Sequence, residues 1–282
     1  MYDLSVPPPN GPLSVDGLPL LDEALDYDFA HRISAASPYA AFLDWRVPVL
    51  GVAFYLLALE PLFDALRRAS GVERNGATLR GVVFVHNCLL AVYSGWSAYH
   101  TWPVLVGAMQ RGGFGSLHCD RDVWRGEGGF GSLAVIFYVS KYYEFLDSAI
   151  LVLKNSDGKH APSFLQKYHH AGIVLCMYCS VVAESNWMIF AVALNSTIHL
   201  FMYTYYAAAT LGYRSPLAKV LTTCQMIQFI LGIALAGGCY FYDPCASATT
   251  PSKLACGLTQ VYAVGLLYLF NEMSKRKYGK RA

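Results

Sequence analysis

Seven apolar stretches of about twenty residues, joined by short polar loops, restrict what this chain can fold into more than any other feature. They fall at about 47–66, 81–105, 131–153, 164–184, 187–209, 216–238 and 256–273. A hydrocarbon core about 30 Å thick takes about 20 residues of α-helix, and a spanning helix satisfies its own backbone polar groups. The expected fold is therefore all-α: a polytopic membrane protein with seven transmembrane helices. Composition agrees, at 55% hydrophobic and 14% charged residues, against roughly 45–50% and 25% in soluble domains. A net charge of +2 gives no case for nucleic-acid binding.

The loop charges set an orientation. With seven spans, 14 of the lysines and arginines fall on one side and 6 on the other, with Lys141 inside a span. Cytoplasmic loops carry the excess, so the N-terminus is expected in the lumen and the C-terminus in the cytosol. The expected division is a lumenal segment over 1–45, a transmembrane domain over 46–274 and a basic cytosolic tail over 275–282. The first forty residues lack a basic start followed by an apolar core, so no cleavable signal is expected. Cys119 and Cys245 fall in lumenal loops, where disulfides persist; they are a candidate pair, with Cys239 and Cys256 as competing partners. Asn195-Ser196-Thr197 reads as a glycosylation acceptor, but its place inside a span leaves it unused.

Polar residues stand where they are expensive. Lys141, Glu144 and Asp147 follow at i, i+3 and i+6 on one helical face, and each costs a few kcal/mol if it meets lipid. Gln166, His169 and His170 open the fourth run. Asn195, His199, Met202, Tyr203 and Tyr206 share a face of the fifth. Thr222, Gln225 and Gln228 share one of the sixth, and Asn87 and Ser94 lie a heptad apart in the second. Any one stripe could be interhelical hydrogen-bonding glue, and a Lys141–Glu144 pair could merely lock helices together. Five successive stripes describe a polar chamber enclosed by helices. Lone histidines such as His86 and His100 read more naturally as structural.

Histidine can serve as base, nucleophile or metal ligand. A membrane di-iron desaturase or hydroxylase is one alternative, but it needs many ligands and this chain clusters only His169 and His170. A seven-helix receptor or transporter is another; a retinal protein would want a lysine in the last span, and 256–273 has none. No metal or other cofactor is expected.

Four motifs occur in order. They are Lys141-x-x-Glu144-x-x-Asp147-Ser148, Gln166-x-x-His169-His170, Asn195-x-x-x-His199-x-x-Met202-Tyr203-x-Tyr205-Tyr206, and Thr222-x-x-Gln225-x-x-Gln228. Together they resemble the signature motifs of the ELO family of very-long-chain fatty acid elongases, and Asn87 with Ser94 resembles its second-span pattern. The resemblance covers roughly residues 50–275. It implies six of seven helices forming a barrel around an acyl tunnel, in the endoplasmic reticulum membrane. The implied activity is a 3-ketoacyl-CoA synthase that condenses acyl-CoA with malonyl-CoA, releasing carbon dioxide and CoA. It further implies the ketoacyl-CoA reductase, dehydratase and enoyl reductase of the elongation cycle as partners, and a homodimer as a candidate assembly.

By analogy with the motif histidines, His169 is the expected nucleophile and His199 its neighbour on the facing helix, with Asn195 and His170 in support. Gln225, Gln228 and Tyr203 are candidate donors to an enolate oxygen. Lys141 is expected to balance the malonyl carboxylate or a CoA phosphate, held by Glu144 and Asp147. Tyr206, Gln166 and Asn87 complete the candidate substrate site. Two positions depart from the family pattern: Gln166 stands where His is frequent, and Ser148 replaces Thr. The Gln form resembles algal and protist enzymes acting on polyunsaturated chains, which points to polyunsaturated C18–C20 substrates.

Overall fold

The computed structural model describes residues 39–279 apart from 72, 74–75, 126–128, 156–160, 214–215 and 242–249. Most of the expected lumenal segment and the end of the basic tail lie outside these residues. So does Cys245.

The described residues are mostly helical and contain no strand. We number the helices α1 (Arg46–Ser70), α2 (Ala77–Cys119), α3 (Arg121–Arg125), α4 (Phe130–Tyr143), α5 (Phe145–Lys154), α6 (Phe164–Val182), α7 (Met188–Thr210), α8 (Leu217–Ala236, continued by a 3₁₀ turn to Tyr240) and α9 (Thr250–Tyr278). Helix α1 ends at Gly71, whose φ of 62° is a left-handed conformation that glycine adopts without penalty. Helix α2 is broken near its far end by Gly112 and Gly113, the latter at φ 64°.

Among the described residues, five helices are long and apolar enough to cross a membrane: α1, α2, α7, the α8 rod and α9. The chain is a polytopic α-helical membrane protein, and the remaining two expected spans differ from simple rods for a physical reason. The run at 131–153 is divided at Glu144, where Asp147 N–H bonds the Glu144 carbonyl at 3.0 Å in a tightened turn. Neither α4 nor α5 alone reaches across about 30 Å. Helix α6 spends its first two turns on Gln166, Lys167, His169 and His170. The polar residues that build the chamber are the ones that weaken these two segments as spans.

Six helices close a ring. Helix α2 packs on α7, α7 on α8, α8 on α9, α9 on α6, α6 on α4, and α4 back on α2. Helix α1 stands outside against α5 and α6, with Leu50, Leu57 and Leu62 exposed, as expected of a lipid-facing helix. Helix α9 continues as one helix from the apolar run through Lys275, Arg276 and Lys277.

Candidate active site

Local sequence places the histidines. Pro162 and Ser163 stop the preceding loop, and the Ser163 hydroxyl caps α6 by accepting from Gln166 N–H at 3.2 Å. The histidine box thus starts within a turn of this helix end. The outer helix contributes as well. A π-turn at Phe54–Ala58 coincides with Tyr55, which is buried and stacks on Phe145 with ring centroids 4.4 Å apart.

Three polar networks surround the chamber. In the first, Lys141 Nζ donates to Glu144 Oε1 at 2.6 Å, both side chains 2% exposed, and to Asn195 Oδ1 at 3.4 Å. Lysine only donates, so the Asn195 carbonyl faces it. The Asn195 amide N–H then donates to His199 Nε2 at 3.1 Å. A neutral His199 accepting at Nε2 carries its proton on Nδ1. In the second network, Asp147 accepts from Tyr203 O–H at 2.8 Å through Oδ2 and bonds His86 Nε2 at 2.8 Å through Oδ1, with His170 Nε2 at 4.0 Å. In the third, Gln166 Nε2 donates to Ser148 Oγ at 3.0 Å, and Ser148 Oγ lies 2.8 Å from Tyr55 Oη. The two positions that depart from the family pattern are therefore bonded to each other.

These networks border a cavity of about 930 Å³. At one end its wall is made of helix termini and includes Arg80, Lys154 and Lys277; deeper in stand Asn87, Glu144, Asp147, His169, His170, His199, Tyr203, Gln225 and Gln228. A second chamber of about 80 Å³ is lined mainly by apolar residues, among them Phe137, Ile173, Met177, Trp187 and Leu266. His169, Gln228 and Phe229 belong to both walls. Glu144 Oε2, His170 Nδ1 and Gln228 Oε1 are buried without a hydrogen-bond partner, although all three side chains line the large cavity. Unsatisfied buried polar atoms are costly, so these are natural points of contact for a polar ligand.

Most residues expected at the site are brought together here, with three corrections of role. Asp147 does not hold Lys141; beyond the tightened turn at Glu144 it bonds His86 and Tyr203 instead. Lys141 lies in the wall of neither cavity; it is buried with Nζ 3.9 Å from the Phe137 ring centroid, so Asn195, not a substrate anion, is its second partner. Tyr203 spends its hydroxyl proton on Asp147 rather than on an incoming oxygen. Tyr206 lines the cavity while half-exposed, and Gln225 rests against Met202 Sδ at 3.2 Å.

Sequence reasoning missed two residues. His86 was read as structural, yet it lines the cavity and bonds Asp147; its position beside Asn87 in the second-span stripe was the available signal. Tyr262 lies in the apolar run of α9, and no spacing points to it. Its hydroxyl lies 2.8 Å from the His169 carbonyl oxygen and 3.0 Å from His169 Nδ1. By contrast, His100 is exposed beside Trp96 and Tyr99, away from both cavities. Cys119 is disulfide-bonded, whereas Cys239 and Cys256 are free thiols.

A polytopic helical membrane protein with a histidine-walled cavity that has a basic rim and shares a wall with an apolar chamber is the class this geometry defines. The family model for ELO, the GNS1/SUR4 family, matches residues 40–282, and the chain belongs to that family. Among curated relatives, fatty acid elongase sre1 of Dictyostelium discoideum is 31% identical over 173 residues, 58% of this chain and 60% of that protein. Long chain fatty acid elongase 2 of Caenorhabditis elegans is 28% identical over 199 residues, 70% of each chain. Fatty acid elongase 2 of Trypanosoma brucei brucei is 28% identical over 257 residues, 85% of this chain and 93% of that one.

Proposed function

We propose that this protein catalyses the condensation of a long-chain fatty acyl-CoA with malonyl-CoA to a 3-ketoacyl-CoA, the first step of fatty acid elongation. The observation that carries the reading is the place of His169, in the wall shared by the basic-rimmed cavity and the apolar chamber. An acyl-CoA has a matching order of parts: a polyanionic head for Arg80, Lys154 and Lys277, a thioester in the middle, and a hydrocarbon tail of which the chamber, at about 80 Å³, takes a segment.

His169 Nε2 attacks the thioester carbon, forming an acyl-imidazole and expelling CoA thiolate. Malonyl-CoA then loses carbon dioxide, and its enolate carbon attacks the acyl carbon and releases the imidazole. Decarboxylation supplies the carbon nucleophile, so no strong base and no bound cofactor is required. The oxygen that gains charge needs preorganised donors; His199 Nδ1–H, fixed through Asn195 and Lys141, and the amide of Gln228 fill that role. The relatives' names support fatty acyl substrates, and the Gln form of the histidine box at Gln166 supports a polyunsaturated preference. The loop charges support a lumenal N-terminus in the endoplasmic reticulum membrane, where the reductases and dehydratase of the cycle, and a second copy of the chain, are the partners to seek.

The test is condensation in microsomes: labelled malonyl-CoA with saturated, monounsaturated and polyunsaturated acyl-CoAs, for wild type and His169→Ala. Product two carbons longer, lost in the variant, is expected. No product from any primer, in membranes containing folded protein, overturns the reading.

A further inference from the structure

We infer that Tyr262, on the ring's last helix, is a positioning residue that fixes which nitrogen of His169 is free to react. The inference rests on the proposed nucleophilic role of His169. It follows from counting protons at one oxygen. Tyr262 Oη lies 2.8 Å from the His169 carbonyl oxygen and 3.0 Å from His169 Nδ1. A carbonyl oxygen only accepts, so the single phenolic proton goes to it. Nδ1 can then be bonded to the same Oη only by donating its own proton. The alternative, with the phenol donating to Nδ1, would press two oxygen lone pairs together at 2.8 Å. Both contacts are hydrogen bonds in one arrangement alone, with the proton of His169 on Nδ1 and the lone pair on Nε2.

This arrangement serves the reaction twice. A hydrogen bond to one ring nitrogen sets the tautomer at the other, so Nε2 is left as the nucleophile. As Nε2 bonds the acyl carbon and CoA thiolate departs, the ring becomes a cation whose Nδ1–H still points at the electron-rich phenolic oxygen. When the enolate carbon takes the acyl group, the ring returns to neutral with the same proton in place, so no proton enters or leaves His169 in either half-reaction.

The surroundings hold Tyr262 for this task. It is buried, and its ring stacks on Tyr168 with centroids 5.4 Å apart. Gly172, one turn along α6 from the box, leaves room where a Cβ would collide with the Tyr262 ring. Because Tyr262 also lines the apolar chamber, a purely steric role must be separated from the electronic one.

The experiment uses the full-length protein and follows CoA release from acyl-CoA alone, in a single turnover, for wild type and Tyr262→Phe. The phenylalanine ring keeps the packing and removes only the hydroxyl. The expected result is CoA release slowed about tenfold, the effect of one lost hydrogen bond of about 1.4 kcal/mol, with the KM for acyl-CoA and the chain-length profile unchanged. The decisive arm replaces His169 by Nδ-methylhistidine in the Tyr262→Phe background. Methylation forces the lone pair onto Nε2, so it should restore most of the lost rate. Wild-type rates in Tyr262→Phe, or a loss that the methylated ring does not repair, overturn the inference. Undiminished release in His169→Ala would instead remove the nucleophile reading on which it rests.

Discussion

The Lys141–Glu144 pair makes a prediction in which stability and activity separate. Both side chains are 2% exposed and their charged atoms are 2.6 Å apart. Glu144→Ala leaves the Lys141 ammonium with Asn195 Oδ1 at 3.4 Å and the Phe137 ring centroid at 3.9 Å as its close partners. Breaking a buried pair on one side costs about 3–5 kcal/mol, and the ring face offsets about 2 kcal/mol at most. At full offset a net loss of about 1–3 kcal/mol remains, which lowers the midpoint of thermal unfolding by roughly 2–12 °C at about 2–4 °C per kcal/mol. Replacing both residues, as Lys141→Met with Glu144→Leu, leaves no orphaned charge and should return the midpoint to near wild type. Condensation should not return, because Asn195 has lost the donor that sets its amide and through it the ring of His199; about a tenfold lower rate is expected. The assay is a thermal melt in detergent beside initial rates of condensation for the two single variants, the double variant and wild type. A double variant as fragile as Glu144→Ala, or one as stable and as active as wild type, refutes the reasoning.

Three further outcomes follow from the geometry. Asp147→Asn cannot accept from Tyr203 and bond His86 with the same pair of charged oxygens, and hydrogen bonds to an ion are worth about 1.5–3 kcal/mol each. Initial rates should fall at least tenfold, and a wild-type rate would show that this network is only structural. Gly172→Ala drives a methyl into the Tyr262 ring and should slow condensation about as much as Tyr262→Phe while lowering the unfolding midpoint, since overpacking costs about 1–3 kcal/mol; rates and melts of the two variants decide it. Gly232 lines the apolar chamber, and a Cβ there would meet nothing within 4 Å. Gly232→Leu should fill that space and shift products toward shorter chains in gas chromatography of the methyl esters; an unchanged distribution would mean the tail lies elsewhere.

The fold class was legible because lipid imposes a length and polarity rule on apolar runs that can be read in plain sequence, and five helices among the described residues meet it. The division of the third run at Glu144 was not, since a tightened turn leaves no trace in apolar periodicity. The chamber was legible because Lys141, His169, His199 and Gln228 are costly residues whose shared faces can be counted on a helix. Partnership was harder. Helical spacing puts Asp147 with Lys141, whereas the folded chain gives Asp147 to His86 and Tyr203 from α2 and α7. Tyr262 was invisible for the same reason: its partner is 93 residues away on a neighbouring helix, and a tyrosine in an apolar run looks like any other packing residue. Gln166 and Ser148 were recognisable as departures, but their bond to each other required the structure.

The most direct test of the central claim is to look for the acyl group on the protein. Full-length protein incubated with acyl-CoA alone, quenched and mapped by mass spectrometry, should carry one acyl group on His169; a chase with malonyl-CoA should remove it and yield the two-carbon-longer 3-ketoacyl product. Condensation at the full rate with no acyl group on His169 at any quench time would contradict the account.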